Sequence, residues 1–416
     1  MRLLSALCLT TALAAPALAA TPEEVTQHYA DIALAGYQDS LTTAQALQQA
    51  VAALIATPSD ETLQAARTAW LAARVPYQQT EAFRFGNPIV DDWEGRVNAW
   101  PLDEGLIDYT SGDYGNEENA LATLNVIATP KFTLSGNEID ASTITPELIS
   151  GTLHEADGIE ANVASGYHAI EFLLWGQDLN GTNPGAGARP FTDYATGDAC
   201  TGGNCDRRAA YLQAATDLLV SDLTEMVGNW EAEGPARTAV TTDPQKGILA
   251  ILTGMGSLSY GELAGERMKL GLMLNDPEEE HDCFSDNTYN SHYYDGLGIR
   301  NVYLGTYTRT DGSTLTGPAL ADLVAAADPA VDTQLKAELD ASVAALQALK
   351  DAGDGGKAYA ALLAAGNAEG EALMMGAVNA LVTQTASVDR AVTALGLSKI
   401  EFEGSDSLDN PNAVFQ

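Results

Sequence analysis

Long Ala- and Leu-rich runs with apolar residues at helical spacing dominate this chain, and strand-like alternation is scarce. Residues 23–56 form the first run. Thr57-Pro58-Ser59-Asp60 breaks it, and Ser59 or Asp60 can cap a second helix over about residues 61–85. The pair predicts a long antiparallel hairpin, with a kink or short interruption at Pro76. Further helical runs cover residues 206–230, 247–274, 318–327, 329–351 and 368–395. The 247–274 run carries six glycines, which predicts close packing at some cost in helix propensity. Helices without a sheet bury their apolar stripes against one another. The expected fold is therefore all-α. The order of long helices, irregular middle and long helices occurs twice, and 416 residues suffice for two domains. The expectation is two helical bundles, loosely pseudo-symmetric, over residues 20–190 and 191–416.

Two stretches break the helical texture. Residues 86–115 turn aromatic, acidic and rich in Gly and Pro, and residues 275–316 form a second irregular polar block. Loops this long inside a helical chain usually carry function. Within the second block, the run Glu278-Glu279-Glu280-His281-Asp282 lacks the spacing of a calcium loop and reads as a solvated acidic turn.

The first residues read as an address. Met1-Arg2 precedes an apolar core and the small-residue sequence Ala17-Leu18-Ala19, the order of a secretory signal over residues 1–19. The apolar core is too short to span a bilayer, and no later run is long enough. The expected protein is exported to the periplasm or cell envelope and has no transmembrane segment. In that oxidising compartment Cys200 and Cys205, inside the Gly-rich loop 176–204, read as a small-loop disulfide. A zinc site would need a second cysteine pair. Cys283 is then a buried thiol. The 57 acids against 20 Lys and Arg give a formal net charge of −37. Such a surface repels nucleic acid and anionic lipid and draws cations. Solubility or salt tolerance accounts for most of it.

The chemistry concentrates in Gly166-Tyr167-His168-Ala169-Ile170-Glu171, followed by Phe172-Leu173-Leu174-Trp175-Gly176. If this run is a helix, His168 and Glu171 are neighbours on one face. Their apolar flanks imply burial, and a buried carboxylate needs a cation or hydrogen-bond donors. Imidazole and carboxylate together suit a di- or trivalent metal. A structural His–Glu pair answers the same pattern. His154-Glu155 is not followed by the second histidine of a zinc-peptidase helix, and no nucleophile elbow, phosphate loop or haem-attachment motif is found.

These residues resemble the imelysin family, in its iron-regulated protein A branch. Gly166-Tyr167-His168-Ala169-Ile170-Glu171 matches that family's Gly-x-His-x-x-Glu signature. The segments Tyr77-Gln78-Gln79-Thr80-Glu81-Ala82-Phe83-Arg84-Phe85, Val97-Asn98-Ala99-Trp100-Pro101-Leu102-Asp103-Glu104-Gly105, Gly265-Glu266-Arg267-Met268 and Cys283-Phe284-Ser285-Asp286-Asn287-Thr288 belong to the same look. The resemblance implies two helical bundles with the signature helix near their interface, in an exported protein tied to iron acquisition. His168 and Glu171 are the ligand candidates it implies. A hard iron ion wants more oxygen donors; Glu81, then Asp103 and Glu104, come next, with zinc as the alternative metal. Arg84 and Arg267 would hold those carboxylates or bind an anionic chelate, with Tyr77 and Glu266 beside them. Glu81–Arg84 also fits a plain ion pair, Trp100-Pro101 a packing corner, and Glu266-Arg267 a tie between domains. The functions implied are binding of a metal ion or complex in iron uptake, with an envelope or outer-membrane partner, or metal-dependent peptidase activity. A non-metal ligand such as haem is the third.

Overall fold

The computed structural model describes residues 20–112 and 119–415. The expected leader, 1–19, lies outside the described residues. The chain is largely helical. Helix α1 (Pro22–Ala56) opens with a capping box between Thr21 and Glu24. Helix α2 (Asp60–Thr80) starts from Ser59, whose side chain accepts the Thr62 N–H. The two pack along each other as the predicted hairpin. Pro76 lies within α2, and regular α-helix gives way at its end to a tighter turn, Glu81–Phe83. Helix α3 (Pro88–Asn98) occupies part of the first irregular stretch, and helix α4 (Gly166–Trp175) is the signature helix.

Helix α5 (Cys205–Trp230) begins at the Cys200–Cys205 disulfide and packs on α1 and α4. It follows residue 190 in the chain yet belongs with the first helices, so packing runs across the expected domain division. Helix α6 (Pro244–Ser257) continues into a wider π-helical segment, Leu258–Leu270. The glycines here make room mostly for the chain's own C-terminal segment. A Cβ at Gly256 would meet the Phe402 ring at 2.2 Å, and one at Gly261 the Glu403 carbonyl at 2.5 Å.

The second polar block differs from expectation, because Thr288–Leu304 is a helix, α7. Its Tyr-, Asn- and Gly-rich sequence has no apolar stripe to announce it, since the face it buries is polar. Helices α8 (Pro329–Asp354) and α9 (Ala368–Ala394) pack on each other, and α8 also packs on α7. Among the described residues the strands form two small antiparallel ribbons, β1 (Lys131–Leu134) with β2 (Asn137–Asp140), and β3 (Thr306–Thr308) with β4 (Thr314–Thr316). One apolar core runs from Val25 to Val392, and a smaller one lies around Leu263, Met268, Leu346, Met374 and Leu381. Among the described residues, no helix is long and apolar enough to cross a membrane.

Candidate metal centre

The signature glycine has a physical reason. Gly166 has φ +79°, and a Cβ there would lie 2.4 Å from the Val97 carbonyl oxygen. Only glycine lets α4 start this close to α3. Ser165 fixes the same junction by donating its hydroxyl to the Arg96 carbonyl at 2.9 Å. From this start, His168 and Glu171 follow one turn apart, at 1% and 0% exposure. His168 Nδ1 lies 3.1 Å from Glu171 Oε2. Glu171 Oε1 accepts the Ser285 backbone N–H at 2.8 Å and its hydroxyl at 2.6 Å. His168 Nε2 is buried and has no partner.

The segment ahead of α7 completes the site. Glu280, His281 and Asp282 are 3%, 1% and 0% exposed, which corrects the expectation of a solvated turn over 278–282. His281 packs its ring edge-on against His168, with centroids 4.8 Å apart. Asp282 Oδ1 lies 4.0 Å from His168 Nδ1 and 3.5 Å from His281 Nδ1. Ligand atoms of His168, His281 and Asp282 lie within 4.8 Å of one another. The acid is anchored by Arg74, which donates from Nη2 to Oδ1 at 2.6 Å and from Nε to Oδ2 at 3.2 Å. Asn287 and Ser291 donate to Oδ2 as well. Arg74 also lies over the Tyr167 ring at 5.0 Å.

Burial shapes the protonation of this group. It lowers His168 to about 3, with the Arg74 charge adding to it, so the ring is neutral near pH 7. His281 is lowered well below the usual histidine value by burial, then by Arg267 and His168. Burial and the charge of Asp282 push Glu171 well above the usual carboxyl value, against the pull of the Ser285 donors. Burial acts most strongly, raising Asp282, but the Arg74 charge, His168 and the hydrogen bonds from Arg74 and Ser291 together outweigh it and hold the carboxyl down at about 2.

The other sequence-predicted residues make their contacts elsewhere. Glu81 pairs with Arg267 at 2.8 Å, and Arg267 also meets Asp295 at 3.1 Å and Glu262 at 2.7 Å. Arg84 bonds Asp91 at 2.9 Å and reaches Glu94 and Glu262 at 3.4 and 3.5 Å, rather than Glu81. The Tyr77 ring lies 4.8 Å from that of Tyr167. Glu266 lines a surface cavity with Ser405, Asp406 and Asp409. Asp103 accepts from Asn119 Nδ2, and its N–H donates to the Ala161 carbonyl at 2.8 Å. Glu104 accepts from Gln177 Nε2 at 3.4 Å. His168 and Glu171 are thus brought together with His281 and Asp282. These two stand directly before Cys283-Phe284-Ser285, a segment already set apart in the sequence, and that adjacency was the available signal.

The donor set suits a first-row metal ion. Two neutral imidazoles and one or two carboxylates match the ligand preference of iron or zinc. Asp282 Oδ1 has a lone pair beyond the one Arg74 occupies. The unpartnered Nε2 of His168 is a buried polar atom whose cost a ligand would relieve.

The imelysin family model, named for a peptidase, matches residues 33–388. A 76-residue stretch is 34% identical to iron-regulated protein A of Synechococcus elongatus, covering 18% of this chain and 21% of that protein's length. The match therefore spans only about a fifth of the curated relative. Two crystal structures share the fold. A Parabacteroides distasonis protein described as an iron-regulated protein A precursor superposes with a TM-score of 0.64 at 19% identity, over 91% of this chain and 97% of that one. An imelysin-like protein of Psychrobacter arcticum gives 0.56 at 15% identity, over 92% and 99%. With the family match running from α1 into α9, this chain belongs to the imelysin family.

Proposed function

We propose that this chain is an exported metal-binding protein that takes up iron, as an ion or small complex, in iron acquisition at the cell envelope. His168, His281 and Asp282 are the ligands, and Glu171 is either a fourth ligand or the group that orients His168. The observation that carries this reading is the convergence of those three side chains' ligand atoms within 4.8 Å in a buried, acid-rich setting. The name of the Synechococcus relative supports iron over zinc. The leader pattern and the Cys200–Cys205 disulfide support export. With so few protein ligands, the ion keeps positions open for exchange with a partner or chelate. A peptidase must admit an extended peptide to its metal, whereas these four side chains are at most 1% exposed.

The test is anaerobic titration of Fe(II), and of Zn(II), into metal-free protein. Iron should bind at micromolar concentration or tighter. His168→Ala should weaken it by at least about 100-fold, since losing a group that only orients a ligand already costs about 10–100-fold. Failure of both metals to bind, or unchanged affinity in His168→Ala, would overturn the proposal.

A further inference from the structure

A second imidazole–carboxylate pair stands at the same spacing on α7. His292 and Asp295 are three residues apart on one face, and both are 0% exposed. His292 Nδ1 lies 3.2 Å from the Tyr359 hydroxyl, and its Nε2 has no partner. Asp295 Oδ2 accepts from Arg267 Nη1 at 3.1 Å, and its Oδ1 has no partner. Two unpaired polar atoms on one buried helix face cost about 1–3 kcal/mol each by general experience.

The surrounding charge points the same way. Leaving aside the exposed Asp91, the carboxylates Glu81, Glu94, Glu262 and Asp295 meet two guanidiniums, Arg84 and Arg267. Buried acids in excess call for a cation. Around the first pair, Glu171, Glu280 and Asp282 likewise outnumber Arg74.

We propose that His292 Nε2 and Asp295 Oδ1 hold a second divalent first-row metal ion, so that the buried layer is a two-ion site. The second ion stands on its own pair of atoms. Only its pairing with a first ion rests on the reading given above. Imidazole with carboxylate is a donor set such ions accept. Arg267 secures Asp295 through Oδ2, which leaves Oδ1 for the ion.

Stoichiometry tests this directly. Metal-free full-length protein is titrated with Co(II), with visible absorbance and the metal-to-protein ratio after gel filtration as readouts. Two ions per chain are expected in the wild type, and one each in His292→Gln and His168→Gln. One ion in the wild type overturns the two-ion site: if His292→Gln retains it the first site stands, and if His292→Gln removes it while His168→Gln retains it the first site falls as well. Two ions retained by His292→Gln also overturn the second site. No binding at all sinks both readings. The wild-type ratio needs no variant, so misfolding of His292→Gln would not rescue the proposal.

Discussion

Two of the clusters of buried arginines and carboxylates in this fold are built on different rules. In the first, Asp108 and Asp193 face Arg189 and Arg208, charge for charge, each at most 4% exposed. Arg208 donates to Asp108 at 2.6 and 2.9 Å and to the Asp193 and Gly203 carbonyls at 3.0 Å. Arg189 bridges the two acids at 2.7 and 3.1 Å, and the Tyr109 hydroxyl closes the set on Asp193 at 2.5 Å. Of the fully buried side-chain polar atoms of these four residues, Arg189 Nε alone lacks a partner. In the second cluster, Arg74 pairs with Asp282 but not with the buried Glu171 or Glu280, two neutral histidines lie beside Asp282, and His168 Nε2 is left over. A balanced and nearly saturated cluster is a staple, here tying the loop at Asp108 to the start of α5. A cluster with surplus acid and an unused nitrogen is organised for something that arrives.

The largest effect separating them should come from Asp108→Asn. The change keeps the shape and removes one of two negative charges from a site holding two guanidiniums. Breaking a buried pair costs about 3–5 kcal/mol. The Arg189 and Arg208 charges hold Asp108 below its ordinary value against the effect of burial, so it is ionised in the folded protein. Urea unfolding should show a loss of that size with metal stoichiometry unchanged. A loss under about 1 kcal/mol would mean the staple is not one.

The pH dependence of the metal-free protein comes next, at up to about 1.4 kcal/mol per pH unit for each proton in play. His168 and His292 are lowered to about 3, and His281 well below 6.5. Below pH 6.5 the unfolded chain binds protons that the folded one refuses, so these groups cost stability as pH falls. Glu171, Glu280 and Asp295 are raised well above 4.5, 4.5 and 3.8. They are fully favourable below those ordinary values and lose stability as pH rises. The sets oppose each other between about pH 4.5 and 6.5, so chemical denaturation across pH should place the stability maximum there. Bound metal needs the acids ionised and should move the maximum upward. A metal-free maximum above pH 8 would break the picture of acid excess.

The long helices were legible because each carries an apolar stripe between recognisable caps, as the close match of 23–56 to Pro22–Ala56 shows. Helix α7 was not, because its buried face holds Ser291, His292, Asp295 and Asn301, and periodicity cannot distinguish a buried polar face from an exposed one. His281 and Asp282 were hidden by the same logic. Next to three glutamates they look solvated, and the charge that makes burial of Asp282 tolerable comes from Arg74, more than 200 residues earlier. Glu81 looked like a ligand because it sits a turn from Tyr77, yet its partner is Arg267. Spacing along one helix was readable; which arginine claims which acid was set by packing between distant segments.

The smallest effect is the most diagnostic. Glu171→Gln removes a charge from the acid-rich cluster, the same kind of change as Asp108→Asn. A glutamine can turn its oxygen to the Ser285 N–H and hydroxyl and its amide N–H to His168 Nδ1, so each bond Glu171 makes has a replacement. In the metal-free protein near pH 5, stability should stay within about 1 kcal/mol of wild type, the scale of one hydrogen bond. As pH rises, wild type must strip a proton from a buried carboxyl whose folded value is raised, while the variant has none to lose. The variant should therefore overtake wild type in denaturation experiments at pH 8 and bind metal more weakly at the same pH. If it is instead destabilised by several kcal/mol at every pH, Glu171 is an ionised structural partner like Asp108, and the two clusters are of one kind.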